Sequence, residues 1–210
     1  MNISILGSGR VGTTLAQALA AKGHDVTLGH RDPAIGKNQW QGPPLRHASL
    51  ADAAAASPLV INATPGDTAL QMLQALQAPL QGKVLLDVSN ATERTANGMP
   101  SGLLYPNSSL AERLQAALPQ TRVVKSLNTM LFTVMAAPQS LPTPPTVFIS
   151  GDDTGAKDQV KALLAELGWL AGQMLDLGGI QSARATEALI LMAPYLIAAR
   201  GLKPFALTVA

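Results

Sequence analysis

Short apolar runs alternate with amphipathic stretches from the first residues onward. Ile3-Ser4-Ile5-Leu6 reads as a short buried strand, and Gly7 to Gly12 as a turn. Val11, Leu15, Ala18 and Leu19 then recur at helical spacing, with Gly23 placed to end that helix. Val26-Thr27-Leu28 predicts a second strand and Leu45 to His47 a short third. Ser49 is placed to cap an alanine-rich helix through Ala56. Leu59-Val60-Ile61 predicts a fourth strand, followed after Thr64-Pro65 by a helix to about Gln77. Lys83 to Val88 predicts a fifth, continuous and apolar as parallel-sheet interiors require. Ser109 with Glu112 has the pattern of a capping box. Beyond it, Arg122 to Lys125 and Thr146 to Ser150 predict strands, and Thr154 to Leu167 a helix ended by Gly168. Leu170 to Leu175 predicts one more strand and Ile180 to about Arg200 a last helix.

This alternation predicts an α/β fold: a doubly wound, Rossmann-type, mostly parallel sheet with helices on both faces and a C-terminal helix. At 210 residues the chain suits one sizeable core and is short for two. The expectation is a single nucleotide-binding domain over 1–210, with 178–210 as a C-terminal helical segment. Ala188 to Ala199 is apolar nearly all round, and such a helix must be buried, either within its own chain or, as expected here, in a homodimer. Ser89 to Asn107 and Asn128 to Pro145 lack periodicity. Both follow the carboxyl end of a strand, where ligands bind in such sheets, so they are expected to wall a small-molecule substrate pocket.

Composition removes several alternatives. Apolar residues make up 47% of the chain and charged ones 13%, which excludes a disordered protein. The formal charge is +2 and the basic residues form no run, so nucleic acid is not an expected partner. The absence of cysteine excludes a disulfide scaffold, a thiolate metal site and a cysteine nucleophile. His24, His30 and His47 lack metal-ligand spacing, so no metal is expected, and His24 and His47 are expected at the surface. No basic leader precedes the first strand, and the longest apolar stretch is broken by Pro194. The expectation is a cytoplasmic protein without a membrane partner.

The turn Gly7-Ser8-Gly9-Arg10-Val11-Gly12 matches G-x-G-x-x-G directly after a strand and at the start of a helix, the context that gives this pattern meaning. Gly7 permits the tight turn, Gly9 lets a pyrophosphate approach the backbone, and Gly12 lets the helix pack on the strand. The helix start adds unpaired N–H groups and a positive partial charge, which suits a diphosphate. Arg10 either touches a phosphate or is solvated. NAD-preferring sites place an acidic residue about 20 positions after the turn. Here that place holds Gly29 or His30, followed by Arg31, and Asp32 before Pro33 reads as a turn residue. An arginine there suits a 2′-phosphate, which points to NADP(H), with His30 and Lys37 assisting.

The opening Ile-Leu-Gly-Ser-Gly-Arg-Val-Gly, Lys22 to Val26 and Gly29-His30-Arg31 resemble the deazaflavin-dependent NADP reductase family. The resemblance continues in Val123 to Thr129, Val147 to Asp153, Asp176 to Gly179, and Ser182 to Glu187. It implies hydride transfer between NADP(H) and the deazaflavin coenzyme F-420, or a flavin. It also implies that Ala63, Thr64 and Pro65 lie along the nucleotide, with Asn90 near the nicotinamide. Such a transfer needs little from side chains, and no catalytic acid or base is identified. Two other readings stand: an NADP-dependent reductase of a small carbonyl or imine, and a non-catalytic NADP-binding redox sensor. Lys125, at a strand end, is expected to be structural or solvated rather than catalytic. Arg184 and Glu187 either pair on a helix surface or serve the pocket.

Overall fold

A computed structural model describes residues 1–209. Its first half follows the alternation closely: β1 (Asn2–Leu6), α1 (Arg10–Ala21), β2 (Asp25–His30), α2 (Pro33–Gln39), β3 (Arg46–Ser49), α3 (Leu50–Ala56), β4 (Leu59–Asn62), α4 (Gly66–Gln74), α5 (Gln77–Leu80) and β5 (Val84–Asp87). The hairpin β6 (Thr92–Arg94) and β7 (Pro100–Leu103) comes next, before α6 (Leu110–Ala117), β8 (Arg122–Ser126) and α7 (Phe132–Ala136). The last elements are β9 (Val147–Ser150), α8 (Thr154–Glu166), β10 (Met174–Asp176), α9 (Ala183–Ala188) and α10 (Ala193–Arg200).

The central sheet runs in the order β10-β9-β8-β5-β4-β1-β2-β3. All neighbours are parallel except β8 and β9, so β9 and β10 run against the rest. This is the expected Rossmann-type, mostly parallel α/β fold. Strand side chains alternate between two cores, as the pleat demands. Ile3, Ile5, Ile61 and Leu86 pack on the face that carries α1 and α8. Leu6, Val60, Leu85 and Val123 pack on the other, with α3, α4 and α6. Ser49 and Ser109 cap α3 and α6 through the amides of Asp52 and Glu112, as their sequence context implies.

Four local expectations are corrected. Asp32 is the N-cap of α2, accepting from the amides of Ala34 and Ile35, with Pro33 opening the helix. The stretch after β5 contains the hairpin, whose strands are too short to show a period. Leu170 to Leu175 is a 3-10 turn followed by β10 rather than one strand. The closing helix is broken: a 3-10 segment, Leu189–Met192, separates α9 from α10. Pro194 explains the break, since it has no N–H for an α-ladder and its ring crowds the carbonyl four residues earlier.

Candidate functional site

A cleft of about 910 Å³ opens at the carboxyl ends of the parallel strands. Its first wall is the glycine turn. Gly7 has φ +103°, and a side chain there would strike the carbonyl of Ala63 at 2.7 Å. The turn is therefore closed by direct backbone contact between the ends of β1 and β4. A Cβ on Gly12 would lie 1.8 Å from the Gly7 carbonyl, so α1 can start this close to the strand only with glycine. Gly9 is different: a Cβ there meets nothing within 4 Å. Its missing side chain leaves open space beside the start of α1, which has no side-chain cap and no acidic residue in its first turn. An uncapped twelve-residue helix facing open space fits a diphosphate.

The floor is a buried polar network below the cleft. Asn62 donates to Asp87 (2.8 Å) and accepts from the hydroxyl (2.6 Å) and amide (3.2 Å) of Thr64. Ser89 donates to the same Asp87 oxygen at 2.7 Å. The fully buried Lys125 ammonium donates to Asp87 (2.8 Å) and to the Ser89 carbonyl, and lies 2.9 Å from Glu187. Burial opposes the charge on Lys125, but the Asp87 and Glu187 carboxylates outweigh it, raising the pKa and holding the ammonium charged. Lys125 is thus structural, and it fixes the loops that present Thr64, Ser89 and Asn90 to the cleft.

Arg184 and Glu187 serve neither suggested role. Glu187 is buried and accepts from the amides of Leu110 and Ala111 at the start of α6. Arg184 pairs with Glu112 of α6 at 2.5 Å. Both lock α9 to α6, and α9 leads into the opposite wall of the cleft, where Ile190, Ala193, Ile197 and Phe205 face Phe132 and Met130.

Of the expected nucleotide residues, Gly7 to Val11, Arg31, Ala63, Thr64, Pro65 and Asn90 line the cleft. Gly12 lies behind the turn. Arg10 sits over the Phe132 ring, 5.7 Å from its centroid. His30 and Lys37 do not line the cleft. His30 is 3% exposed and hydrogen-bonded to His47 (2.9 Å), so the residue expected at the phosphate points into the protein, and His47 is half-buried rather than superficial. Lys37 lies exposed on α2, close enough to His47 to depress its pKa, after burial. Sequence reasoning missed Asn128, Phe132 and Arg94. Asn128 exchanges two hydrogen bonds with Asn90, at 2.9 and 3.0 Å, across the ends of β5 and β8. It occupies the place after β8 that Asn90 occupies after β5, a signal the strand pattern carried.

The first 90 or so residues match the family model for coenzyme F420-dependent NADP oxidoreductases, over residues 2–91. A solved structure from Arthrobacter sp. FB24, described as a candidate F420-dependent NADP reductase, is 38% identical, covers 100% of this chain and 99% of its own, and superposes with a TM-score of 0.92. The chain belongs to the coenzyme F420-dependent NADP oxidoreductase family. Members are NADP-dependent oxidoreductases, so this chain is an enzyme of that class. The chain is also similar to the metalloreductase STEAP3 of Rattus norvegicus, 32% identical over 90% of this chain and 36% of that protein. A glycerol-3-phosphate dehydrogenase [NAD(P)+] of Methylobacterium radiotolerans is 30% identical over 95% of this chain and 60% of its own. The chain therefore spans between about a third and three fifths of the length of these two curated relatives. Among the described residues, no helix of this family member is long and apolar enough to cross a membrane, and no group of acidic and histidine side chains is arranged to hold a metal ion.

Proposed function

We propose that this oxidoreductase passes a hydride between NADP(H) and a deazaflavin coenzyme of the F420 type, or a flavin. The observation that carries this reading is the makeup of the cleft. Its ionisable residues are Arg10, Arg31, Asp67 and Arg94; no histidine, lysine, tyrosine or cysteine lines it. Reduction of a carbonyl or imine calls for a proton donor beside the reacting atom, whereas a conjugated ring that accepts a hydride spreads the charge away from that atom and takes up its proton from solvent at the ring edge. When bound, the nicotinamide and the acceptor ring supply the redox chemistry themselves.

The protein's part in this reading is to bind, orient and keep the site dry. The amides at the start of α1 and the space left by Gly9 take the diphosphate. Arg31, exposed and without an ion-pair partner among the described residues, takes the 2′-phosphate. Thr64 and Pro65 run along the nucleotide, and the Asn90–Asn128 pair fixes the nicotinamide end. The apolar wall of Phe132, Ile190, Ile197 and Phe205 accommodates the flat face of a ring system and excludes water.

The reading also includes a homodimer. In one chain α10 buries only Ala193 fully, while Tyr195 is 79% exposed beside a half-exposed Met192, and a second copy of the chain would cover this apolar surface. A monomeric mass by light scattering at micromolar concentration would remove that part.

The deciding experiment follows the deazaflavin absorbance as purified protein is mixed with NADPH and oxidised deazaflavin coenzyme, with free flavin in parallel. Rapid bleaching with NADPH but not with NADH is the expected result. No bleaching with either acceptor, in a sample that binds NADPH by calorimetry, would overturn it and favour a small organic substrate or a sensing role.

A further inference from the structure

His30, displaced from the expected phosphate site, forms a unit with His47. His30 closes β2, and His47 lies on the neighbouring β3, paired with Leu28, so the two side chains share one face of the sheet two positions apart. Nε2 of His30 and Nδ1 of His47 are 2.9 Å apart, so one ring donates to the other, and the rings stack with centroids 5.0 Å apart. Trp40 meets His47 edge-on at 5.8 Å and is itself tied by its indole N–H to the carbonyl of Pro43 at 2.8 Å.

This ladder brackets α2. Helix α2 has no fully buried residue, so it has little apolar surface of its own to hold it on the sheet. At its middle, the backbone rests on the His30 ring: a Cβ on Gly36 would lie 2.0 Å from Nδ1. At its end, the C-cap residue is Trp40, the last rung of the ladder. At its start stands the Asp32 cap. Arg31 lies between the anchored His30 and the capping Asp32, with its side chain on the cleft.

We infer that the His30–His47 pair is a positioning unit for cofactor choice: it seats α2 on the sheet and so sets Arg31 where a 2′-phosphate binds. The inference rests on the reading of Arg31 given above. Neither histidine touches the nucleotide. Both act through the backbone of α2, so their loss weakens the grip on the phosphate that distinguishes NADPH from NADH and leaves the shared diphosphate contacts intact.

The test measures dissociation constants for NADPH and NADH by calorimetry on the full chain and on Arg31→Ala, His47→Ala, His47→Asn and Arg31→Ala/His47→Ala. His47→Ala is expected to weaken NADPH about tenfold, the scale of one charge-assisted hydrogen bond, and to leave NADH nearly unchanged. His47→Asn, whose side-chain amide reaches the position of Nδ1, is expected to restore most of the loss. In the Arg31→Ala background, His47→Ala is expected to add nothing, because the residue it positions is gone. Gly36→Ala, which lifts α2 off the His30 ring, is an independent variant with the same expected signature. Equal losses for NADPH and NADH in His47→Ala, or full additivity with Arg31→Ala, overturn the positioning role while leaving Arg31 in place. Equal losses for the two cofactors in Arg31→Ala itself overturn the phosphate reading, and the inference with it.

Discussion

The Lys125 ammonium on β8 lies 2.9 Å from the Glu187 carboxylate on α9, joining the central sheet to the segment that builds the far wall of the cleft. The same carboxylate takes two amides at the start of α6. One side chain therefore ties together three parts of the fold that are far apart in sequence, in a place where water cannot substitute for it.

Glu187→Gln leaves Lys125 buried with Asp87 as its one carboxylate. Removing a partner from a buried pair typically costs on the order of 3 kcal/mol. For a chain of this size that is a fall in Tm of roughly 6–12 °C by scanning calorimetry. An unchanged melting temperature would contradict the structural role given to this ion triad.

Two glycines of the turn separate binding from folding. Gly9→Leu places its side chain in open space, so the fold should melt close to wild type while NADPH binding by calorimetry is lost. Gly12→Ala drives a methyl group into the Gly7 carbonyl and should cost about 3 kcal/mol of stability, as overpacking does. Retained NADPH affinity in a folded Gly9→Leu variant would sink the diphosphate assignment.

Asn128 makes its side-chain contact with Asn90 and lies at the end of the cleft away from Arg31. Asn128→Ala removes the bond to the Asn90 carboxamide oxygen and leaves only the main-chain carbonyl of residue 128 to hold that group, loosening it. The expected signature is a fall in kcat of about tenfold to a hundredfold, the scale of a small misplacement of reacting groups, with the NADPH dissociation constant unchanged. A matching loss of affinity would place Asn128 in binding rather than orientation.

The paired histidines also give the protein a pH dependence. Burial first, and the mutual proximity of the rings second, lowers the pKa of His30; burial and then Lys37 lowers that of His47. The unfolded chain binds protons at about pH 6.5, the folded chain only below that. Their contribution to stability is therefore full above pH 6.5 and is lost as pH falls through the lowered folded values. Urea unfolding between about pH 7 and pH 5 should show stability falling in wild type and falling less in His47→Asn. Identical slopes would remove the pair from the account.

The residues that sequence reasoning placed well are those whose role is set by local geometry. The glycine turn, the caps Ser49 and Ser109, and the interior strands β1, β4 and β5 each declare themselves within a few positions. His30 was misplaced because counting residues from the turn locates the end of β2 but not which way each side chain points. Successive residues there face opposite sides, so Arg31 reaches the cleft and His30 cannot. Glu187 and Arg184 were misread for another reason: their partners, Lys125 and Glu112, come from β8 and α6, and no local pattern announces a contact across that separation. The hairpin β6–β7 escaped because three- and four-residue strands carry no measurable period. The break at Pro194 was written in the sequence and should have split the last helix.

The final stretch returns to the cleft after α10: the Phe205 carbonyl accepts from the Leu131 amide at 2.9 Å and the Leu207 carbonyl from the Thr146 amide at 2.8 Å. Between helix and strap lie four exposed residues, Gly201 to Pro204, turning at Gly201 with φ +74°. This joint is open to a protease: trypsin can enter after Arg200, whereas Pro204 shields the bond after Lys203. A single nick would free the strap and take Phe205 from the apolar wall, while the glycine turn, more than half the chain away, keeps its shape. Limited digestion thus offers a way to strip the substrate side of the cleft from its nucleotide side without changing a residue.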